Sequence, residues 1–274
     1  MKKWSSFLFC LILSFVFHAQ KGKSHKDTVD LTFSGTKINP YHQEYDSTGK
    51  WQVNGYMDTY YAAYSDTSNA NGFQKFPTIS PRNRQIGLNM IQLSAKYTSS
   101  IFRSTITLFG GDCPNAAWST DYRFIQEANL GFNVHRKWWL DMGFFRTHIG
   151  LESIQPRENM TMSLSSTTYF EPYFLSGAKL TWQHSERLTL QLNAFNSFNQ
   201  FVETNKNKAL GFSLNFTPRK NLNISYSNLI CDESPIGSPM KRTRFYQNFC
   251  LIHKTTKWII GFEANYGLQS NSCL

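Results

Sequence analysis

Apolar and polar residues alternate along most of the chain between Trp51 and Leu268. The clearest case is 188–194, where leucines and an alanine hold every second position and Thr, Gln and Asn residues hold the positions between them. Stretches 127–134, 210–217 and 258–266 repeat the pattern. Successive side chains of a β-strand point to opposite faces, so each stretch predicts a strand with one apolar and one polar face.

About eleven segments of this kind are predicted as strands. They are 51–64, 86–97, 101–110, 124–134, 138–147, 172–183, 188–197, 209–217, 222–230, 245–253 and 258–268.

Short and long connections alternate strictly between these strands. The short ones lie around Ser99 and at 135–137, 184–187, 218–221 and 254–257, and the long ones are 65–85, 111–123, 148–171, 198–208 and 231–244. A soluble β-sandwich mixes loop lengths at both ends, whereas outer-membrane barrels have short periplasmic turns and long external loops. The loops therefore favour an all-β fold, an antiparallel transmembrane β-barrel of about eleven strands.

Aromatic residues cluster near both ends of the predicted strands. Those near the short turns are Tyr97, Phe102, Trp138, Trp139, Trp182, Phe216 and Trp258. Those near the long loops are Tyr60, Tyr61, Tyr64, Phe144, Phe145, Tyr173, Phe174 and Phe195. Two such rows predict the aromatic girdles of a membrane interface, and a Phe- and Tyr-rich core is the alternative.

The chain divides into three parts. Residues 1–20 have the order of a secretory signal peptide, with Lys2 and Lys3 before an apolar run from Phe7 to Phe17. That run is too short to span a bilayer as a helix. Residues 21–50 are interpreted as an N-terminal periplasmic segment and residues 51–274 as the barrel.

Charge and motifs exclude several classes of function. The formal charge of +10 becomes +8 without Lys2 and Lys3, and the excess lies mostly in turns and loops, so no nucleic-acid partner is expected. No catalytic triad, metal-ligand spacing or phosphate-binding loop occurs, so we expect no enzyme, no cofactor and no metal. A Cys113–Cys231 bridge and independent free thiols both remain open.

Three stretches resemble one known family: QEANLGFNVHRKWWLDMGFFRTHIGLES (126–153), YFEPYFLSGAKLTW (169–182) and NGYMDTYYAAY (54–64). They are similar to the β-barrel porins of Gram-negative outer membranes, the OmpL-like group. The resemblance covers most of the mature chain and implies an outer-membrane barrel of the pore or solute-uptake type. It implies neither a substrate nor a catalytic motif.

The predicted strand count is odd, whereas single-chain bacterial barrels have an even count, because only closure removes unpaired edges from lipid. Members of the resembled family also continue for several more strands. We therefore expect a barrel that is incomplete at the C-terminus. A missed strand within 31–38 is the alternative.

The expected function is passive or weakly selective passage of small hydrophilic solutes. The candidates for the pore lining are the polar-face residues Asp58, Gln92, Lys96, Arg103, Glu127, Asn129, Asp141, Lys179, Gln191, Asn193, Glu263 and Asn265. Acids and bases that face each other across the pore would create a transverse field. For any one of these residues, simple hydration inside a filled barrel is an equal alternative.

The longest connection, 148–171, could fold inward as a constriction, although an ordinary external loop is the commoner case. Outer-membrane lipid, small hydrophilic solutes and the barrel-assembly machinery are the expected partners. The alternative functions are a plugged barrel that acts as a surface receptor or adhesin, and a secreted β-sandwich binding protein.

Overall fold

The computed structural model describes residues 10–19, 49–65, 72–74, 78–203, 205, 207–234 and 236–271. These residues form twelve β-strands, one short helix and two 3₁₀ turns. The strands are β1 Cys10–Ala19, β2 Lys50–Tyr61, β3 Ile86–Thr98, β4 Phe102–Gly110, β5 Ile125–His135, β6 Trp138–Arg146, β7 Phe174–Gln183, β8 Leu188–Phe195, β9 Ala209–Arg219, β10 Leu222–Asp232, β11 Thr243–Lys254 and β12 Trp258–Gln269. Helix α1 is Asp112–Ala117, and the 3₁₀ turns are Pro156–Glu158 and Thr168–Phe170.

All twelve described strands lie in one antiparallel sheet. Each strand from β2 to β11 pairs with the next strand in the chain, and β1 pairs with the far side of β12. The edges of the described sheet are therefore β1 and β2, which do not pair with each other. A sandwich needs two sheets, so the β-sandwich alternative is wrong.

The eleven strands predicted from Trp51 onward are confirmed, with boundaries that differ by a few residues at most. The five short turns and five long connections fall where the alternation predicted them. Strand β1 coincides with the segment predicted as a signal peptide. The division at residues 20 and 50 remains a prediction, and the alternative strand at 31–38 lies outside the described residues.

The two faces of the sheet are inverted relative to a soluble protein. In β8, the side chain of Leu192 is 56% exposed, whereas Gln191 and Asn193 on the opposite face are 6% and 4% exposed. Leu210 of β9 and Leu130 of β5 are likewise exposed. An apolar outer face with a polar inner face is typical of a strand that contacts lipid on one side.

The outer face carries a row of aromatic side chains at the short-turn end. Trp51, Tyr97, Phe102 and Phe132 contact one another in sequence, with ring centroids 5.1, 5.8 and 5.3 Å apart. Further along this end, the rings of Trp138 and Trp182 stack at 5.2 Å. This row lies where the girdle at the short-turn end was predicted. Trp139 does not belong to it, since it points inward and is 1% exposed.

At the long-loop end most of the predicted girdle is instead a core. Phe145, Phe174 and Phe195 are buried, and Tyr173 packs against the same interior clusters. Their partners include Trp118 beside α1 and Phe201 of the loop after β8. A second girdle formed by these four residues was the wrong prediction, because the long loops fold over the inner face and cover them. Tyr61 remains exposed at this end.

Two β-bulges place consecutive residues on the inner face. In β3, Asn89 is the extra residue opposite Asp58 and Thr59, and both Asn89 and Met90 are completely buried. In β5, Gln126 is the extra residue before Glu127, and it is also buried. A bulge inserts one residue into the period of two, so strict alternation cannot predict these inward side chains.

Two glycines with positive φ lie opposite each other between β6 and β7. Gly143 and Gly177 pair with each other, and their φ angles are 134° and 150°. A Cβ at either position would lie 2.2 Å from a backbone oxygen of the neighbouring strand, so only glycine fits there.

Cys113 and Cys231 are free thiols. They are buried in different clusters, so of the two alternatives left open by the sequence, the structure has the independent thiols. Burial raises the pKa of the Cys113 thiol to about 12.

Candidate pore wall and inward loop

The connection between β6 and β7, residues 147–173, lies against the inner face of the sheet, and we call it the inward loop. Its first residues are fixed to β10 and β11. The Oγ of Ser227 donates to the carbonyl of His148 at 3.0 Å, and the backbone N–H of Gly150 donates to Oδ1 of Asn248 at 3.2 Å.

Glu263 of β12 fixes two separate parts of the inward loop. Its Oε1 accepts the backbone N–H of Leu151 at 2.9 Å, and its Oε2 accepts the hydroxyl of Thr167 at 2.9 Å. Asn248 of β11 donates to the same Oε1 at 2.8 Å. Glu263 is 1% exposed, so these hydrogen bonds are shielded from water.

The middle of the inward loop contacts the other half of the sheet. Arg146, the last residue of β6, donates to Glu158 Oε2 at 3.0 Å and to Gln155 Oε1 at 3.1 Å. Gln155 in turn donates to Gln92 of β3. Since one loop touches both β3 and β12, the sheet curls around it, and the loop crosses the lumen.

Apolar side chains of the inward loop fill part of this lumen. Ile149 packs with Phe195 and Leu229, while Ile154 and Leu164 pack with Met90 of β3. Leu151 and Met160 pack with Cys250, Ile252 and Ile259. Because Ile252 and Ile259 lie close to the short turn 255–257, the loop reaches far toward the short-turn end.

A row of charged side chains crosses the inner wall from β4 to β7. Arg103 forms a two-point ion pair with Asp141, with one contact at 2.6 Å, and its guanidinium lies 4.3 Å from the ring centre of Trp139. Gly131 of the intervening strand leaves the space for this pair. Lys179 is next in the row, opposite Asp141, with its Nζ 4.0 Å from the centre of the Phe145 ring.

The ion pair between Arg103 and Asp141 changes the expectation that acids and bases face each other across the pore and create a transverse field. Arg103 and Asp141 lie on the same wall and neutralise each other there, so they do not face each other across the pore. They thus form no transverse pair.

The remaining predicted lining residues also lie on the inner face, with varied contacts. Asp58 accepts from Asn89 at 2.7 Å, Gln92 donates to Gln126 at 2.6 Å, and Gln191 donates to Thr181 at 3.0 Å. The others are Lys96, opposite Gln52 and Thr105; Glu127, 3.5 Å from Arg146; Asn129, bonded to the carbonyl of Phe144; Asn193, opposite Lys179; and Asn265, bonded to Asn248 and Glu171.

Sequence reasoning missed Glu152 and Glu171, which together with the predicted lining residue Glu263 we call the acidic cluster. Glu152 and Glu171 belong to the inward loop, and all three side chains are at most 5% exposed. Asn265 donates to Glu171 at 3.2 Å, and the backbone N–H of Ser165 donates to Glu152 at 2.6 Å. Glu152 and Glu171 lie far apart in a loop without alternation, so no local pattern connects them with Glu263.

The described residues contain no group of three or more His, Cys, Asp or Glu side chains arranged to hold a metal ion. No helix in that part of the chain is long and apolar enough to span a membrane.

Comparison with known proteins identifies a family for most of the chain. Residues 50–273 match the family model described as "Putative beta-barrel porin-2, OmpL-like". Searches of curated proteins and of solved structures each return no match.

Proposed function

The chain belongs to the beta-barrel porin-2, OmpL-like family, and from this premise we propose that it lies in the Gram-negative outer membrane and passes small hydrophilic solutes. Passage is passive or weakly selective, without catalysis. The lumen is lined by the predicted polar-face residues and narrowed by the inward loop.

The position of the inward loop is the observation that carries this proposal. A polar wall alone would suit any water-filled barrel. Here Glu263 on one side and the Arg146–Glu158 pair on the other hold a loop across that wall. A loop fixed on both sides sets the width of the path, and pore width with the groups that line it governs which solutes pass.

Conductance of the purified protein in planar bilayers tests the proposal. Arg146→Ala removes the contacts with Gln155 and Glu158, so the loop is held less firmly and the single-channel conductance should rise. Lys208→Ala is the control, because Lys208 contacts Glu203 and Asn196 in the loop after β8 rather than the inward loop. Unchanged conductance in Arg146→Ala would show that the loop does not limit passage.

A plugged barrel that acts as a surface receptor or adhesin is the second candidate. It is favoured by the burial of Ile149, Ile154 and Leu164, which occupy the lumen where a wide channel would need water. The same recordings separate the two functions. A silent wild type with a conducting Arg146→Ala variant supports the plug, and a conducting wild type supports the pore.

Orientation is tested by thiol labelling of intact cells. In a background without native cysteines, Ile236→Cys in the long loop after β10 should react with an impermeant reagent, since Ile236 is 74% exposed. Lys220→Cys, in the short turn after β9, should not react. The opposite result would mean that the protein has the reverse orientation in the membrane. Equal labelling of both positions would contradict the assignment to a membrane.

Export and assembly form part of the proposal. A signal peptide of residues 1–20 would be removed on export, and the barrel-assembly machinery would insert the remainder among outer-membrane lipids. Removal of residues 1–20 would take away β1 and leave the outer edge of β12 unpaired by that strand. Mass spectrometry of the membrane-embedded protein tests this step, because the mature N-terminus should lie near residue 21.

A further inference from the structure

We propose that the inward loop is closed by a pH-sensitive latch, in which protonation of Glu152 keeps the loop packed against Glu263 and ionisation of Glu152 releases it. This latch regulates the passage proposed above, and it rests on that function. Three features carry it: the tie through Glu263, the surroundings of Glu152, and the charges nearby.

Glu263 is the fixed half of the latch. It accepts hydrogen bonds from Leu151 and Thr167, which lie near the two ends of the inward loop, and from Asn248 of the wall. Leu151 immediately precedes Glu152 in the chain. The contact that ties the loop to β12 therefore also brings a second carboxyl group close to the first.

Glu152 is the titrating half of the latch. One of its oxygens, Oε2, accepts the N–H of Ser165, whereas Oε1 is buried without a hydrogen-bond partner. The side chain is 5% exposed, so water does not replace the missing partner at the surface. A buried carboxylate with one unsatisfied oxygen is costly, and its neutral form costs much less.

The charged groups around Glu152 favour the same form. Burial raises the pKa of the Glu152 carboxyl above its ordinary value, and the negative charge of Glu263 raises it further, while hydrogen bonds from Ser165 and Thr168 act in the lowering direction. The charge that acts on the Glu152 carboxylate is thus also negative.

Among the residues that the structure describes, the other titratable groups of this region do not supply a compensating cation. On the loop, Glu171 is bonded to Asn265 and Tyr169 lies within the electrostatic reach of Glu152. On β11, the thiol of Cys250 lies 3.6 Å from Glu263. The nearby arginines are engaged elsewhere, since Arg146 pairs with Glu127 and Glu158, and Arg157 lies over the ring of Tyr56.

The direction of the pH effect follows from the raised pKa. When the loop opens, water reaches Glu152 and its pKa falls toward the ordinary value. The closed state is therefore most stable in acid, where Glu152 is protonated whether the loop is open or closed. It loses stability as the pH rises from the ordinary glutamate pKa through the raised one.

Thiol labelling detects this movement without relying on conductance. In a background with the native cysteines replaced by alanine, Met160→Cys places a thiol at a site that is buried against β11 and β12, and Met162→Cys places one two residues later at a site that is 79% exposed. The ratio of the two labelling rates cancels the intrinsic pH dependence of thiol reactivity. It should rise at least about threefold between pH 5 and pH 8, as the open loop becomes more populated.

Glu152→Gln removes the ionisation but retains the shape of the side chain. In this variant the ratio should stay at its acid value throughout the pH range. Glu203→Gln, which removes a carboxyl group from the loop after β8, should behave as the wild type. A wild-type ratio that does not change with pH, or one that rises equally in Glu152→Gln, overturns the latch.

Conductance measured over the same pH range separates failure of the latch from failure of the proposed passage. A pH-dependent labelling ratio in a protein that never conducts supports the latch and contradicts the proposed solute passage. Conductance together with a constant labelling ratio contradicts the latch and supports the proposed passage.

Discussion

The short-turn end and the long-loop end of the sheet are both rich in aromatic side chains, but the rings point in opposite directions. At the short-turn end, Trp51, Tyr97 and Phe102 form a row on the outer face, and Trp258 is half exposed. At the long-loop end, Phe145, Phe174 and Phe195 point inward and are at most 4% exposed.

The difference follows from the length of the connections. A short turn cannot fold back over the end of the sheet, so its aromatic side chains remain on the outer face, where an interface favours rings with an apolar body and a polar edge. A long loop brings apolar residues of its own to the inner face. The connection after β8, for example, brings Phe201 against Phe174 at 4.6 Å. The same residue types therefore make a girdle at one end and a core at the other.

Adjacent tryptophans test this difference with the largest expected effect. Trp139→Ala should lower the free energy of unfolding by about 3–5 kcal/mol, because it opens a cavity at a buried site and removes the ring beneath Arg103. Trp138→Ala removes an outer ring that stacks on Trp182, and lipid can fill the space. Urea unfolding in lipid vesicles, followed by circular dichroism, gives both values. Equal losses would mean that the two rings do not differ in direction.

Neighbouring residues at the centre of β9 test the two faces between those ends. Leu214→Arg should cost about 2–4 kcal/mol if its side chain faces the bilayer midplane. Asn215→Arg should cost much less, because Asn215 lies on the inner face and accepts a hydrogen bond from Asn223 at 2.8 Å. The same unfolding titrations measure both. If Asn215→Arg proves as costly as Leu214→Arg, the faces are wrongly assigned.

Much of the fold was predictable because its information is local. A period of two with turn residues between the segments located β2 to β12, and it placed all twelve lining candidates on the inner face. It could not locate inward residues that depend on a bulge. Asn89 and Met90 both point inward, so Asn89, the extra residue of the bulge, breaks the alternation that Met90 shares with Gln92.

The inward loop was predictable only as a possibility, because its position depends on residues far away in the chain. Leu151 and Glu263 are 112 residues apart and meet only after β12 lies beside the loop. The direction of Trp139 has a similar origin. Its neighbour Trp138 has the same side chain and differs only in which face of the strand it occupies. A row of aromatic residues at a turn does not show which of them point inward.

Glycines of the wall test how tightly the ion pair between Arg103 and Asp141 is packed. A Cβ at Gly131 would lie 2.1 Å from Oδ1 of Asp141 and 2.9 Å from Cγ of Arg103. Gly131→Ala should therefore push the ion pair apart and lower the free energy of unfolding by about 1–3 kcal/mol. Gly55→Ala in β2 is the matched control, since its nearest neighbour would be 4.0 Å away. A neutral Gly131→Ala would indicate that the ion pair is not held in this geometry.

The contacts within the outer aromatic row should give the smallest effect. A double-mutant cycle with Tyr97→Ala and Phe102→Ala measures the coupling between rings whose centroids are 5.8 Å apart. We expect a coupling of about 0.5–1.5 kcal/mol, as is typical of aromatic pairs. Trp182 is the control partner for Tyr97, because it lies four strands away, about 19 Å along the sheet at the usual strand spacing. The two changes at Tyr97 and Trp182 should add to within about 0.5 kcal/mol. Coupling of equal size in both cycles would mean that the aromatic row stabilises the protein collectively through lipid. Coupling confined to Tyr97 and Phe102 would show that the rings stabilise the short-turn end through contact with each other.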